Sequence, residues 1–185
     1  MIARELLNLS SRELRAAFEA GHGFSPEDVA DSEYKGVSLN LPGFVERLTW
    51  KKFKKVFCRD PETSVIRGWN VRLEQNELEA ECVPKTKRGE PITFGHFHVV
   101  ASGDRKMPVP GHPNVVLDYA LGENSAWDFM RFVRDPLVAL NAGDATHLLG
   151  CMYVELGPLR LPTPSYFSLE RECALGKVVR PPARR

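Results

Sequence analysis

From residue 64 onward, apolar and polar positions tend to alternate in short runs separated by turn-forming residues. The runs "SVIRGWNVRLEQ", "ELEAECVP", "PITFGHFHVVAS", "NVVLDYAL", "DPLVALN", "THLLGCMYVEL" and "PSYFSLERE" read as strands, and "KTKRGEP", "GDRKMPVPGHP" and "NAGDA" as turns between them. The first third of the chain has a different period. Leu6, Leu7, Leu14 and Phe18 stand near helical spacing with Ser10 and Ser11 between them, which predicts one interrupted helix or two short ones. "SPEDV" predicts a further helix start: Ser25 caps, Pro26 takes the first turn, and Glu27 and Asp28 suit the positive end of the helix dipole. "EYKGVSLNLPG" reads as a strand. "FVERLTWKKFKKVF" reads as an amphipathic helix whose Phe44, Val45, Leu48, Phe53, Val56 and Phe57 form a stripe opposite a solvated face of Lys51, Lys52, Lys54 and Lys55.

This order of elements predicts a mainly β protein with N-terminal helices, its antiparallel strands forming a meander that closes into a barrel. Closure removes the exposed edges that an open sheet leaves. The expected organisation is a helical brace over 1–31, a barrel over 32–174 and a disordered tail over 175–185, where "GKVVRPPARR" is rich in Pro and Arg.

Composition narrows the partners. Lys plus Arg number 25 against 24 Asp plus Glu, so no charge excess is available to hold a phosphate backbone, and no nucleic-acid partner is expected. No apolar run approaches the ~20 residues that span a bilayer, so no membrane partner is expected either. "MIARELLNLSSRELRAAF" is broken by charge too often for a signal peptide, which points to a soluble cytoplasmic protein. Cys58, Cys82, Cys151 and Cys173 lie far apart without metal-binding spacing, and are expected as reduced thiols. No nucleotide loop, nucleophile elbow or zinc-protease helix is present, and no cofactor is expected.

Strand periodicity picks out candidate site residues. In "TFGHFHVV", His96 and His98 share a face with Ile92, Phe94 and Val100. If that face is the lumen, they line a cavity; if it is the outer wall, they decorate it. A metal at the pair needs a third ligand, for which Asp118, His147 and Glu155 are candidates; hydrogen-bonded structural histidines need none. Arg67 and Trp69 share a face of "VIRGWNVRL", with Gly68, Asn70 and Arg72 on the other. Arg67 is either a lumen charge or a snorkelling surface residue, and Trp69 is either a flat ligand wall or core filling. In "VVLDYAL", Asp118 and Tyr119 take opposite faces, so one of the two points inward. Asp118 either forms an acid-base pair with His96 or His98 or closes a salt bridge to Arg67, Arg131 or Arg134. Tyr153 is either a phenolic donor to a ligand or part of the wall. "WDFMRFVRDP" has the composition of a segment that plugs a barrel mouth.

Two stretches resemble a known family. "EYKGVSLNLPGFVERLTWKKFKKVF" is similar to the segment of GXWXG-type proteins, and "DYALGENSAWDFMRFVRDPLVALNAGDATHLLGCMYVELGPLRLPTPSYFSLERE" resembles the lipocalin-like domain of unknown function that follows it. The resemblance spans roughly residues 32–172 and implies an antiparallel lipocalin-like (calycin-like) β-barrel. A barrel of about eight strands holds one small ligand.

The function expected from these residues is binding of a small, mostly apolar organic molecule in the barrel interior, with Arg67, Trp69, Asn70, Tyr119 and Tyr153 as ligand-binding residues. The alternative is a cofactor-independent isomerase or cyclase acting on such a molecule through His96, His98 and Asp118. Haem held by a lumen or rim histidine is a third reading. A homodimer is left open.

Overall fold

The computed structural model describes residues 3–39 and 51–180. In chain order its elements are a 3-10 turn at Ala3–Asn8, helix α1 at Ser11–Glu19, a 3-10 turn at Pro26–Val29, and strands β1 (Ser32–Leu39), β2 (Lys52–Arg59) and β3 (Ile66–Arg72). A two-strand ribbon follows, β4 (Thr86–Lys87) and β5 (Glu90–Pro91). Then come β6 (Thr93–Ala101), β7 (Val115–Asp118), a 3-10 turn at Phe129–Phe132, β8 (Val133–Asn141), β9 (Asp144–Leu156) and β10 (Leu159–Ala174). Eight strands form a closed barrel in the order β1-β10-β9-β8-β7-β6-β3-β2, every neighbour antiparallel.

The N-terminal region contains one α-helix and two 3-10 turns. Ser10 and Glu13 close a capping box on α1, and Ser25 and Asp28 close another on Pro26–Val29, so the serines start these elements as their chemistry dictates. Leu6, Leu14 and Phe18 pack on Leu39, Val138, Leu149, Cys151 and Tyr166 of the barrel's outer wall. Phe24 and Val29 turn inward and fill one end of the interior.

The helix expected over 44–57 is corrected where it is described: residues 52–59 are β2, and residues 44–50 lie outside the described residues. Phe53 and Phe57 pack inside the barrel, while Val56 packs on the outer wall, so the apolar stripe belongs to two strand faces. The basic run is not a solvated face either, although Lys51 is exposed. Lys52 is buried, its Nζ donating to Asn76 Oδ1 and to the carbonyls of Glu77 (3.1 Å) and Ala80 (2.9 Å). Lys54 is ion-paired to Glu33 and Glu172 at 2.8 Å each, and Lys55 points into the barrel. "ELEAECVP", expected as a strand, is instead a loop whose carbonyls surround the Lys52 ammonium. The tail also departs from expectation as far as residue 180. Leu175 and Val179 pack on Val56, Cys58, Trp69 and Val71, and the Val179 carbonyl accepts from Arg67 at 2.9 Å.

Two glycines set the barrel's local shape. A Cβ on Gly68 would stand 2.5 Å from the Phe97 ring, so the glycine admits that ring to the core beside the irregular register of β3 with β6. Gly95, at φ +52°, turns β6 beneath Asn70, Tyr119 and Met130.

Candidate functional site

Alternation along β3, β6 and β7 decides the faces. Ile66, Phe97, Val99, Val115 and Leu117 belong to the interior cluster, so Arg67, His96, His98 and Asp118, one position away, point out. Register then aligns Arg67 with His98, His98 with Asp118, Asp118 with Arg134, and Arg134 with Tyr153, one row across the outer wall. His98 and Asp118 are therefore cross-strand neighbours, but outside the barrel, and the interior site expected of them is corrected accordingly. Asp118 bonds Arg105 and Arg134, each at 3.1 Å; Arg134 also reaches Glu155 at 3.2 Å, which pairs with Arg160 at 2.8 Å. Tyr153 is fully buried in that wall.

Trp69 and His96 also face outward, their ring centroids 6.2 Å apart. Asn124 clamps the His96 backbone, accepting from its N–H at 2.8 Å and donating to its carbonyl at 2.7 Å and to that of Tyr119 at 2.8 Å. Burial, with the Arg67 charge adding to it, lowers the His96 imidazole to a pKa of about 4, and burial lowers that of His98 as well. Neither histidine belongs to a group of three metal-capable side chains among the described residues. The one such group is Glu33, Glu172 and Cys173, where the Lys54 ammonium already bridges the two carboxylates.

Asn70 and Tyr119 are the two sequence-identified candidates that do point inward, and they meet two residues that sequence reasoning missed. Lys55 Nζ donates to Asn70 Oδ1 at 2.9 Å, Tyr119 Oη at 2.6 Å and Asp135 Oδ2 at 3.2 Å. The Tyr119 hydroxyl in turn donates to Asp135 Oδ2 at 2.8 Å, and Asn70 Nδ2 donates to the Gly95 carbonyl at 3.0 Å. Each ammonium proton thus has an acceptor, as a buried cation requires. Aromatic rings complete the enclosure: Nζ lies 5.0 Å from the Phe167 centroid, 5.2 Å from Phe97, 5.3 Å from Tyr119 and 5.5 Å from Phe53. Burial draws the Lys55 amine below the ordinary lysine range, opposed by Asp135, while burial and then the Asp135 charge raise the Tyr119 phenol well above its own. One signal for the missing pair was in the sequence: Asp135 is a lone carboxylate opening the apolar run "PLVAL".

The cluster sits toward the barrel end that carries the 119–132 connection between β7 and β8. There Met130, half-buried, closes over Gly95 together with Asn70 and Tyr119: a Cβ on Gly95 would stand 3.0 Å from the Met130 methyl and from Asn70 Nδ2, and 3.1 Å from the Tyr119 ring. The residues around Met130 face water, with Trp127 96% exposed, Phe129 60% and Phe132 40%.

Fold and site thus define a closed antiparallel barrel with a lysine, a tyrosine, an aspartate and an asparagine converging in an apolar interior. No family model matches the chain, and neither a curated protein nor a solved structure matches it.

Proposed function

We propose that the barrel binds one small, mostly apolar organic molecule in its interior, in the manner of lipocalin-like barrels, with its polar end at Lys55, Asn70, Tyr119 and Asp135. The observation that carries this reading is the convergence of four polar side chains from separate parts of the chain, within a wall of phenylalanines and aliphatic residues. Ligand sites typically pair such a wall with a few converging polar groups that fix orientation. The site presents no net excess of charge, since Lys55 faces Asp135. A neutral hydrogen-bonding group therefore suits it better than an anion, because an anion would meet the Asp135 carboxylate. Displacement of the flexible Met130 side chain is the route of entry, with the 3-10 turn at Phe129–Phe132 as the cover.

If the barrel catalyses a proton shift, the acid and base are Tyr119 and Asp135 in this reading, since His98 and Asp118 lie on the outer wall, where Arg105 and Arg134 hold the Asp118 carboxylate. The test is native mass spectrometry of the purified chain, followed by denaturing release and by titration with a panel of small apolar alcohols, ketones and aldehydes. A one-to-one complex weakened by Tyr119→Phe and Asn70→Leu is expected. A chain that stays free against the whole panel refutes the reading.

A further inference from the structure

We infer that Lys55 is a carbonyl-reactive amine, and that the molecule the barrel accepts is a small apolar aldehyde or ketone which it holds as an imine. The inference rests on the proposed interior site and names the chemical class it takes. Lys55 has beside it the parts that imine formation needs. Asp135 Oδ2, 3.2 Å from Nζ, is placed to take the ammonium proton and free the nitrogen lone pair. The Tyr119 hydroxyl, 2.6 Å from the same nitrogen, donates its one O–H to the Asp135 carboxylate, and once Asp135 is protonated that O–H is released to donate to a carbonyl oxygen brought against Nζ. The rings of Phe53, Phe97 and Phe167 around Nζ give an apolar carbonyl compound its contact surface and keep bulk water from reversing the condensation. Burial disfavours the charged amine, which assists the same step.

The reaction balances within the site. Asp135 takes a proton from the Lys55 ammonium; the free amine adds to the carbonyl carbon as the C=O π bond breaks, and the oxygen becomes a hydroxyl by taking a proton from the added nitrogen. That hydroxyl leaves as water after taking the proton from Asp135, so the ammonium and the carbonyl compound become an iminium and one water, with the Asp135 carboxylate restored. The iminium keeps the positive charge that Asp135 already faces. No oxidant or reductant enters.

The test uses the full chain with two probes of nearly equal shape, benzaldehyde and benzyl alcohol. Amide NMR shifts at Asn70 and Gly95 report binding of the alcohol, which cannot condense. Benzaldehyde with cyanoborohydride, followed by peptide mapping, reports imine formation as a mass gain equal to the aldehyde less one oxygen. The expected result is shifts with the alcohol, and an adduct on Lys55 that appears ahead of any on the exposed Lys85 and Lys87. Shifts with an adduct absent from Lys55, or no faster there than at Lys85 and Lys87, overturn the imine and leave the binding reading standing. Neither shifts nor an adduct at Lys55 overturns both.

Discussion

Replacing Lys55 by Met removes a charge from the barrel while keeping a chain of similar length and shape. The partner left behind decides the outcome. Asp135, whose side chain is 6% exposed, keeps the hydrogen bond from Tyr119 at 2.8 Å and loses the ammonium at 3.2 Å. Removing one partner of a buried ion pair destabilises by about 3–5 kcal/mol, because the remaining charge stays dehydrated and uncompensated. The surviving Tyr119 bond places Lys55→Met near the lower end, about 3 kcal/mol, or a fall in melting temperature of about 6–12 °C for a chain of this size. The double variant Lys55→Met/Asp135→Leu removes both charges, and such apolar replacements are neutral or stabilising by about 1–4 kcal/mol. It should therefore recover the loss, with an interaction energy at or beyond the upper end of the usual ~0.5–3 kcal/mol for coupled pairs. Urea unfolding followed by far-UV circular dichroism on the wild type, both single variants and the double variant closes the cycle. A Lys55→Met loss below ~1 kcal/mol, or a double variant no more stable than the singles, would refute the claim that Lys55 and Asp135 form a buried charged pair.

Two further outcomes follow from the outer wall. His96 titrates at about 4 in the fold against 6.5 in the unfolded chain, so the unfolded chain binds its proton first as the pH falls. Its contribution is full above 6.5 and is lost between 6.5 and 4, by up to about 3 kcal/mol; stability measured across that window should flatten in His96→Gln. In Gly122→Ala the new Cβ would stand 1.7 Å from the His96 carbonyl oxygen and 2.0 Å from its carbon, both backbone atoms. The Asn124 clamp must then shift, and a loss of about 2–3 kcal/mol in chemical denaturation is expected; a loss within 0.5 kcal/mol would show that the 119–124 loop is not held against β6.

Much of the barrel was legible because β3, β6, β8, β9 and β10 are rich in β-branched and aromatic residues and bounded by real turns. What hydropathy could not show was which face of a strand is inside. Trp69 and Val71 are as buried on the outer wall, beneath the tail, as Phe97 and Val99 are in the lumen, so the alternation carries no label for the interior. For this reason the faces of His96 and Arg67 stayed open in the sequence, and the interior roles expected of them fall on the outer wall. The helical reading of the 44–57 run failed over its described part because β2 has apolar cover on both faces and lysines at buried positions; a mixed apolar and basic stretch of that kind fits a 3.6 period as readily as a period of two. Lys52 is legible as buried only once the carbonyls of the 76–81 loop are known to surround it. Of the candidate site, Asn70 and Tyr119 could be named from strand faces. Lys55 was hidden in the basic run, and Asp135 comes beside it only through barrel closure.

That closure also dictates an order of assembly. The barrel's seam joins its first strand to its last, with Ser32 opposite Ala174. The segment before β1 is in the same position, since His22 bridges to Ala139 and the leucines of the 3-10 turn and α1 rest on β8 to β10. As the chain leaves the ribosome, its opening third therefore has β2 to pair with and must wait for almost everything else. Contacts of such long separation place folding among the slower single-domain classes and leave the outer edge of β1 unpaired for most of synthesis. The final strand acts as the latch: until β10 is seated, the outer edge of β1 has no partner and the leader has β8 and β9 but not β10 to rest on.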